Sequence, residues 1–302
     1  MLELRHRVDE FVAAPVAAAF FVLADRYGLD ADQLAEPDTA TALASCAVRE
    51  LNPWSGTAVH DRARVLGEAP RLRALVTDVL TDPRTTWWSA PLQLDAQLLL
   101  LDQRALTTTP PPDPWQVPEP GGANDEWQTY AQRPLHQVIT TTELTVPVQA
   151  VVRSGAHADL YHGVSDWDAD YPVHQSRLRV AAGARVLEVD SAVDWHHLVA
   201  AYGDPQTADR SESNLWTSAG IEHGPAPEWS RVAEHADAVH LTFAGLLTGL
   251  YVPVSSAGVG VTTLWAWYFE STWWMRSAFS SSQDLAPLVE PPDDHARFSS
   301  GH

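Results

Sequence analysis

Apolar residues at three- and four-residue spacing dominate residues 1–82 of the chain. This period places them on one face of an α-helix, and prolines separate the resulting segments, so this part is predicted to be helical. The first stripe is formed by Val8, Phe11, Val12, Val16, Ala19, Phe20 and Leu23. Further helices are expected near 38–51, 58–66 and 72–80. No reactive side chains cluster there, and we interpret the region as a scaffold.

The second half of the chain alternates between two patterns. Residues 176–190 place apolar side chains at alternate positions on both sides of 181–183, which predicts two short strands. Ser191 is a suitable N-cap for a helix to about residue 202. Another helix is expected over 227–237, a buried strand over 238–242 and one or two aromatic strands over 263–279. The predicted fold class is α+β, with a helical N-terminal part packed on a C-terminal mixed α/β domain.

Proline and glycine concentrate between the two parts. The segment 107–126 is typical of a linker or a wrapped surface loop because it is rich in both residues. We therefore divide the chain into a helical scaffold at 1–106, this segment, a ligand-binding domain at 127–279 and a tail at 280–302. The tail is rich in Ser, Pro and Asp and is expected to be disordered. The stretch 84–104 mixes both periods, so strands and a further helix both stay open there.

The charge of the chain excludes several classes of function. The formal net charge is −20, from 39 acidic against 19 basic residues. Such a field repels polyanions, so binding in a nucleic-acid groove or on an anionic membrane is not expected. Every basic residue is arginine, and the absence of lysine excludes Schiff-base chemistry and the phosphate-binding lysine of Walker-type ATPases.

Location and metal binding follow from what the sequence lacks. The apolar stretch 11–24 is too short to span a bilayer and does not suit a signal peptide, so a cytoplasmic location without membrane contact is expected. The chain has one cysteine, Cys46, and 13 histidines. Their spacing matches no zinc motif, and no metal is predicted.

One carboxylate stands out because it lies in an aromatic segment. Glu270 is flanked by Tyr268, Phe269, Trp273 and Trp274. An unpaired carboxylate on a buried face costs several kcal/mol, about 3 to 5, so a buried Glu270 needs a hydrogen-bonding partner or a substrate. The alternative is that its face is exposed, or that it pairs with an arginine such as Arg276.

A second segment, residues 160–165, combines a histidine with a glycine. Gly163 permits close approach of a ligand to the backbone, and the imidazole of His162 can hydrogen-bond a ribose hydroxyl. An ordinary junction between a strand and a turn is the alternative interpretation.

Together, the segments around His162 and Glu270 resemble the motifs of the ADP-ribosyltransferase superfamily. Members share a split mixed sheet that clamps NAD. One strand carries a His-Gly pair or a Ser-Thr-Ser-like motif, and a later strand carries a catalytic Glu. The resemblance covers about residues 150–279 and implies a split, mainly antiparallel sheet. Tyr268 stands where arginine-modifying toxins carry Glu or Gln, which disfavours that activity.

Two registers of this resemblance stay open. In the first, His162–Gly163 forms the early motif and residues 215–218 form the middle one. In the second, residues 162–165 form the middle motif, because two predicted strands follow them. Glu270 is the acid in both registers.

The resemblance implies a role for each matched residue. Glu270 is expected to stabilise an oxocarbenium-like transition state, with NAD as co-substrate. The residues expected to bind NAD are Tyr161, His162, Gly163, Ser165, Trp216, Ser218 and Arg177. Arg153 and Arg179 are alternatives to Arg177 at the pyrophosphate, and Trp273 and Trp274 are alternatives to Trp216 for stacking on a ring.

Two other functions remain alternatives to a glycosyl-transferring enzyme. One is a non-enzymatic module whose aromatic pocket binds a protein partner or a small apolar ligand. The other is a specialised biosynthetic enzyme that acts on an aromatic metabolite. The enzyme hypothesis includes a protein as one acceptor of the transferred group.

Overall fold

The computed structural model describes residues 2–51, 58–101, 138–145, 174–203, 224–265, 267 and 269–287. Within these ranges the N-terminal part is helical, as predicted. Its helices are α1 (Leu2–Ala13), α2 (Pro15–Arg26), α3 (Ala31–Leu34), α4 (Pro37–Glu50), α5 (Ala58–Glu68) and α6 (Arg73–Thr81). None of the helices in the described ranges has both the length and the apolar character needed to cross a bilayer.

The first apolar stripe is divided between two helices. Helix α1 ends at Ala13, and Pro15 occupies the first turn of α2, where its missing N–H is not needed. All residues from Pro15 to Ala24 are buried. Helix α2 contacts α1, α4 and α5, so it lies at the centre of the helical part. A helix that is apolar on all sides is stable only when surrounded in this way.

The second part contains a seven-stranded mixed sheet. Its strands are β1 (Gln97–Leu101), β2 (Val138–Thr142), β3 (His174–Val180), β4 (Val186–Val189), β5 (Ala238–Leu241), β8 (Ser271–Trp274) and β9 (Phe279–Asp284). Their order across the sheet is β4-β5-β8-β2-β1-β3-β9. Strands β4 and β5 are parallel, and the other pairs in this sheet are antiparallel. The α+β class with a helical N-terminal part and a mainly antiparallel mixed sheet is confirmed.

Three helices and a two-stranded hairpin complete this part, as far as the structure describes it. The helices are α7 (Ala192–Tyr202), α8 (Trp229–His235) and α9 (Phe243–Gly249). Strands β6 (Pro253–Ser256) and β7 (Gly260–Thr263) form a separate antiparallel hairpin. Helix α7 begins after the N-cap Ser191, whose side chain accepts a hydrogen bond from the amide of Asp194, as the sequence predicts.

The two strands predicted over residues 176–190 exist but do not pair with each other. Strand β3 lies between β1 and β9, whereas β4 forms the opposite edge of the sheet beyond β5. Alternation of apolar residues shows which face of a strand is buried. It does not show which strand is its neighbour.

Strand β9 corrects the expectation that disorder begins at residue 280. Residues 279–284 pair with β3 and form an edge of the sheet. An edge strand needs backbone partners on one side only and can expose polar side chains, so its Ser-rich composition is compatible with a strand. Strand β1 also belongs to the sheet, although it lies inside the segment 1–106 that was assigned to the helical scaffold.

The helices and the sheet share one hydrophobic core. Phe20 of α2 packs against Phe243 of α9 with ring centroids 6.2 Å apart. Trp88, in the 3₁₀ helix Pro83–Ser89, lies 5.0 Å from the same ring. The segment that follows Trp88 therefore leaves the helical core and runs along the sheet part, where it forms one wall of the site described next.

Candidate functional site

Glu270 lies immediately before β8, and its side chain is buried. It is 3% exposed, so the first alternative, an exposed carboxylate, does not hold. Arg276 is not its partner either, because that guanidinium pairs with Asp237 at 3.2 Å. The partners of Glu270 come instead from the two strands next to β8.

Thr142, at the end of β2, donates two hydrogen bonds to the carboxylate. Its hydroxyl donates to Oε1 at 2.8 Å, and its amide donates to Oε2 at 3.1 Å. From the other side, His240 of β5 places Nε2 2.7 Å from Oε1. Both carboxylate oxygens are therefore engaged by donors, as a buried carboxylate requires.

His240 bridges two carboxylates. Its Nδ1 is hydrogen-bonded to Glu188 of β4, while its Nε2 contacts Glu270. This geometry follows from the register of β5, in which His240 lies opposite Glu188 on one side and Thr272 on the other. Burial disfavours the charged imidazole, but the hydrogen bonds and charges of Glu188 and Glu270 outweigh it and raise the pKa of His240 to about 9. At neutral pH the ring is an imidazolium.

A small cleft opens beside Glu270 and His240. It lies between the segment that follows Trp88 and the ends of the strands. Its lining consists of Trp87, Ala90, Pro91, Gln93, Thr142, Leu144, His240, Thr242, Phe243 and Glu270. The rings of Trp87 and Phe243 form an aromatic wall, with centroids 4.8 Å apart. The cleft therefore combines apolar aromatic side chains with a carboxylate–imidazolium pair.

The structure places Arg177 on β3, with its guanidinium paired to Glu143 through two hydrogen bonds. Arg179 pairs with the exposed carboxylate of Asp95 at 3.1 Å. Neither arginine is among the residues that line the cleft.

The expectation that Trp273 or Trp274 stacks on a ligand is wrong. Both side chains are buried in the core. Trp273 packs on the rings of Trp229 and Trp267 at 5.4 Å from each, and the indole N–H of Trp274 donates to Thr140. Because β8 is an interior strand covered on both faces, its aromatic residues stabilise the fold instead of lining a pocket.

Several residues singled out from the sequence lie outside the part of the chain that the structure describes. They are Tyr161, His162, Gly163, Ser165, Trp216, Ser218 and Arg153. Their predicted role in binding NAD stays a prediction, and so does the choice between the two registers.

The sequence interpretation missed the partners of Glu270. The sequence patterns do not single out His240, Glu188 or Thr142. A signal was present, since His240 stands in the apolar strand Ala238–Leu241, where a histidine needs hydrogen-bonding partners. The strand order that supplies those partners could not be read from the pattern.

Among the described residues, no group of three or more His, Cys, Asp or Glu side chains is arranged to hold a metal ion. Comparison of the chain with protein-family models, with curated proteins and with solved structures gave no match.

Proposed function

We propose that the chain is an ADP-ribosyltransferase-like enzyme that binds NAD or a related nucleoside ligand and cleaves or transfers at its glycosidic bond. One observation carries the proposal. The carboxylate of Glu270 is almost fully buried, lines a cleft, and is engaged there by a threonine and an imidazolium. The cytoplasmic location expected from the sequence belongs to the same proposal.

The charge of the site supports this chemistry. When the bond between C1′ of the ribose and the nicotinamide nitrogen breaks, the bonding electrons leave with nicotinamide and positive charge develops on the ribose. Glu188, His240 and Glu270 together carry one net negative charge while the imidazole is protonated. Pre-oriented negative charge in a site with little water stabilises such a transition state. Water or a protein side chain then attacks C1′ and releases a proton.

The aromatic wall supports the binding of a flat ring. Trp87, from the N-terminal part, presents apolar ring surface at the cleft, and the buried ring of Phe243 packs against it. Stacking on such a surface contributes about 0.5–1.5 kcal/mol beyond the burial of its area. The ligand ring would then lie within reach of the Glu270 carboxylate.

Nicotinamide release from NAD by the full chain, measured by chromatography, tests the proposal. We expect release by the wild type and a rate about 100-fold lower for Glu270→Gln, because removal of one stabilising group typically costs this much. Glu234→Gln, which changes an exposed residue of α8, is the matched control and should keep the wild-type rate. Tryptophan fluorescence should show that both variants are folded.

A non-enzymatic binding module is the second candidate, and the apolar half of the lining favours it. The apolar side of the lining could contact a ligand that is bound and not converted; it consists of Trp87, Ala90, Pro91, Leu144 and Phe243. Thermal unfolding with NAD, nicotinamide and ADP-ribose separates the two functions, since a ligand that binds the native state raises the midpoint. No stabilisation by any of the three, together with no nicotinamide release, contradicts the enzyme proposal.

A further inference from the structure

The carboxylate of Glu270 is held by two arms of hydrogen bonds that end at the same piece of the cleft wall. The first arm runs from Glu270 through His240 to Glu188. Glu188 then accepts a hydrogen bond through Oε1 from the backbone amide of Leu92 at 3.0 Å. Leu92 stands between Pro91 and Gln93, which both line the cleft.

The second arm runs from Glu270 through Thr142 to Gln97. The side-chain amide of Gln97, which is fully buried, donates to the hydroxyl of Thr142 at 3.4 Å and to the carbonyl of Gln93 at 3.2 Å. Since Gln93 follows Leu92 in the chain, the two arms close into a ring. This ring contains both Glu270 and two residues of the cleft wall, Leu92 and Gln93.

Further donors fix the direction of the second arm. The indole N–H of Trp274 donates to Thr140 at 2.8 Å, and the hydroxyl of Thr140 donates to Oε1 of Gln97 at 2.7 Å. This contact assigns the orientation of the Gln97 amide, which must then present its N–H groups to Thr142 and Gln93. Hydrogen bonds aligned in one direction polarise one another, so this arm is rigid.

The first arm differs because it reaches solvent and carries charge. The side chain of Glu188 is 33% exposed, whereas those of His240 and Glu270 are each 2% exposed. Within the described residues, Glu188 of β4 and Glu270 before β8 are the charged groups that act on His240. Thr272 of β8 lies opposite it in the register, and Thr242 follows β5 at the cleft.

We propose that Glu188 is a positioning residue, which acts through His240 to hold the Glu270 carboxylate and, through the Leu92 amide, to hold the cleft wall in the same arrangement. As far as catalysis is concerned, this inference rests on the proposed function. Protonation of His240 then couples the two sides of the cleft. Loss of the imidazolium charge leaves a neutral ring with one N–H, so either Glu270 or Glu188 loses its hydrogen bond to His240.

The Glu188→Gln variant of the full chain tests this role. The amide oxygen can still accept a hydrogen bond from Leu92. Its NH2 group then faces Nδ1 of His240, where a carboxylate oxygen accepts in the wild type, and the negative charge is lost. The loss of one of the two negative charges beside His240 should lower the midpoint of its titration. Because Glu188 is partly exposed and water screens its charge, we expect a fall of about one pH unit. Nuclear magnetic resonance of the imidazole nitrogens measures that midpoint, with Glu234→Gln as the control.

The backbone amides report the coupling without any activity. The amides of Leu92 and Thr142 lie at the two ends of the ring. In the wild type, the chemical shifts of both amides should change with pH at the same midpoint as the titration of His240. In Glu188→Gln, both of these midpoints should fall by as much as the His240 midpoint does. If either amide fails to follow, or if the His240 midpoint stays in place, the inference is wrong whether or not NAD is a substrate.

The kinetics add a readout that a purely structural role does not change. For midpoints near 9 and 8, the protonated fraction of His240 at pH 8.5 differs about threefold, so the ratio of the wild-type kcat to that of Glu188→Gln for NAD cleavage should be about threefold larger at pH 8.5 than below pH 7. Below pH 7 this ratio should no longer change with pH, and it then reports only the loss of the Glu188 charge. An active wild type with identical pH profiles for both proteins overturns the role of Glu188, whereas a wild type without NAD cleavage overturns only the proposed function.

Discussion

The centre of the helical part and the centre of the sheet are both closed to water, but they are built from opposite kinds of side chain. Helix α2 buries ten consecutive residues, all apolar. The middle of the sheet buries Gln97, Thr140, Thr142, His240 and Glu270. In the first region stability comes from the removal of apolar surface from water, which needs no particular partner. In the second, each of these five polar side chains has a particular hydrogen-bonding neighbour.

If this contrast holds, the largest loss of stability comes from an apolar truncation at the shared core. Phe20 is fully buried and contacts the rings of Phe21, Trp88 and Phe243. Phe20→Ala should lower the free energy of unfolding by about 4 kcal/mol, because it removes the transfer energy of a ring and leaves a cavity. Urea denaturation followed by tryptophan fluorescence measures this. A loss below about 1 kcal/mol for Phe20→Ala contradicts a tightly packed core. The control is Val59→Ala, at an exposed position on α5, which should change the free energy of unfolding little.

The charged part of the sheet centre should show a dependence on pH that the helical part lacks. The pKa of His240 in the folded protein, about 9, lies above its ordinary value of 6.5. The folded state therefore binds this proton more tightly, so the stabilisation is complete below about pH 6.5 and is lost as the pH rises through 9. Over this window the free energy of unfolding should fall by roughly 3 kcal/mol more in the wild type than in His240→Gln.

Denaturation curves at several pH values from 6 to 10 measure this difference. His197→Gln is the matched control, because His197 lies on the exposed face of α7. The control should follow the wild type over the whole range. If the free energy of unfolding depends on pH in the same way in the wild type and in His240→Gln, the pKa of His240 is not raised in the folded protein.

A neutral polar group of the sheet centre should give an intermediate effect. In Thr140→Val the shape of the side chain is kept, but Gln97 loses a donor and Trp274 loses an acceptor. Leaving buried polar groups without a partner costs about 2 kcal/mol. The same substitution at the exposed Thr86 should change the free energy of unfolding far less, and equal losses at both positions contradict the polar network.

The smallest effect is expected from an ion pair at the surface. Asp95 pairs with Arg179 at 3.1 Å, and both side chains are more than half exposed. Exposed pairs contribute little because water and salt screen them, so Asp95→Asn should cost at most about 0.5 kcal/mol. Thermal unfolding at low and high salt checks this. If Asp95→Asn destabilises the protein as much as Thr140→Val does, exposed and buried polar contacts do not differ in their contribution to stability.

The same contrast separates the elements that the sequence predicts well from those that it predicts poorly. The helices near 38–51, 58–66 and 72–80 appear in the structure within about two residues of the predicted ends, since their period is local. The composition of residues 280–284 predicts a disordered tail, although they form most of β9, because an edge strand carries few apolar residues. Trp273 and Trp274 were expected at a ligand, because aromatic residues look alike in a core and in a pocket.

The sequence by itself determined the helical core, the α+β class and the position of one acidic side chain, Glu270, in an aromatic segment, where it needs a partner if it is buried. Only the tertiary structure decided that the partner is His240, with Thr142 and Glu188 beside it. A strand pattern shows which face a residue occupies, because side chains alternate along the backbone. The neighbouring strand is chosen by pairing between segments that are far apart in the chain, and that pairing brings a carboxylate, an imidazole and a hydroxyl into one cleft.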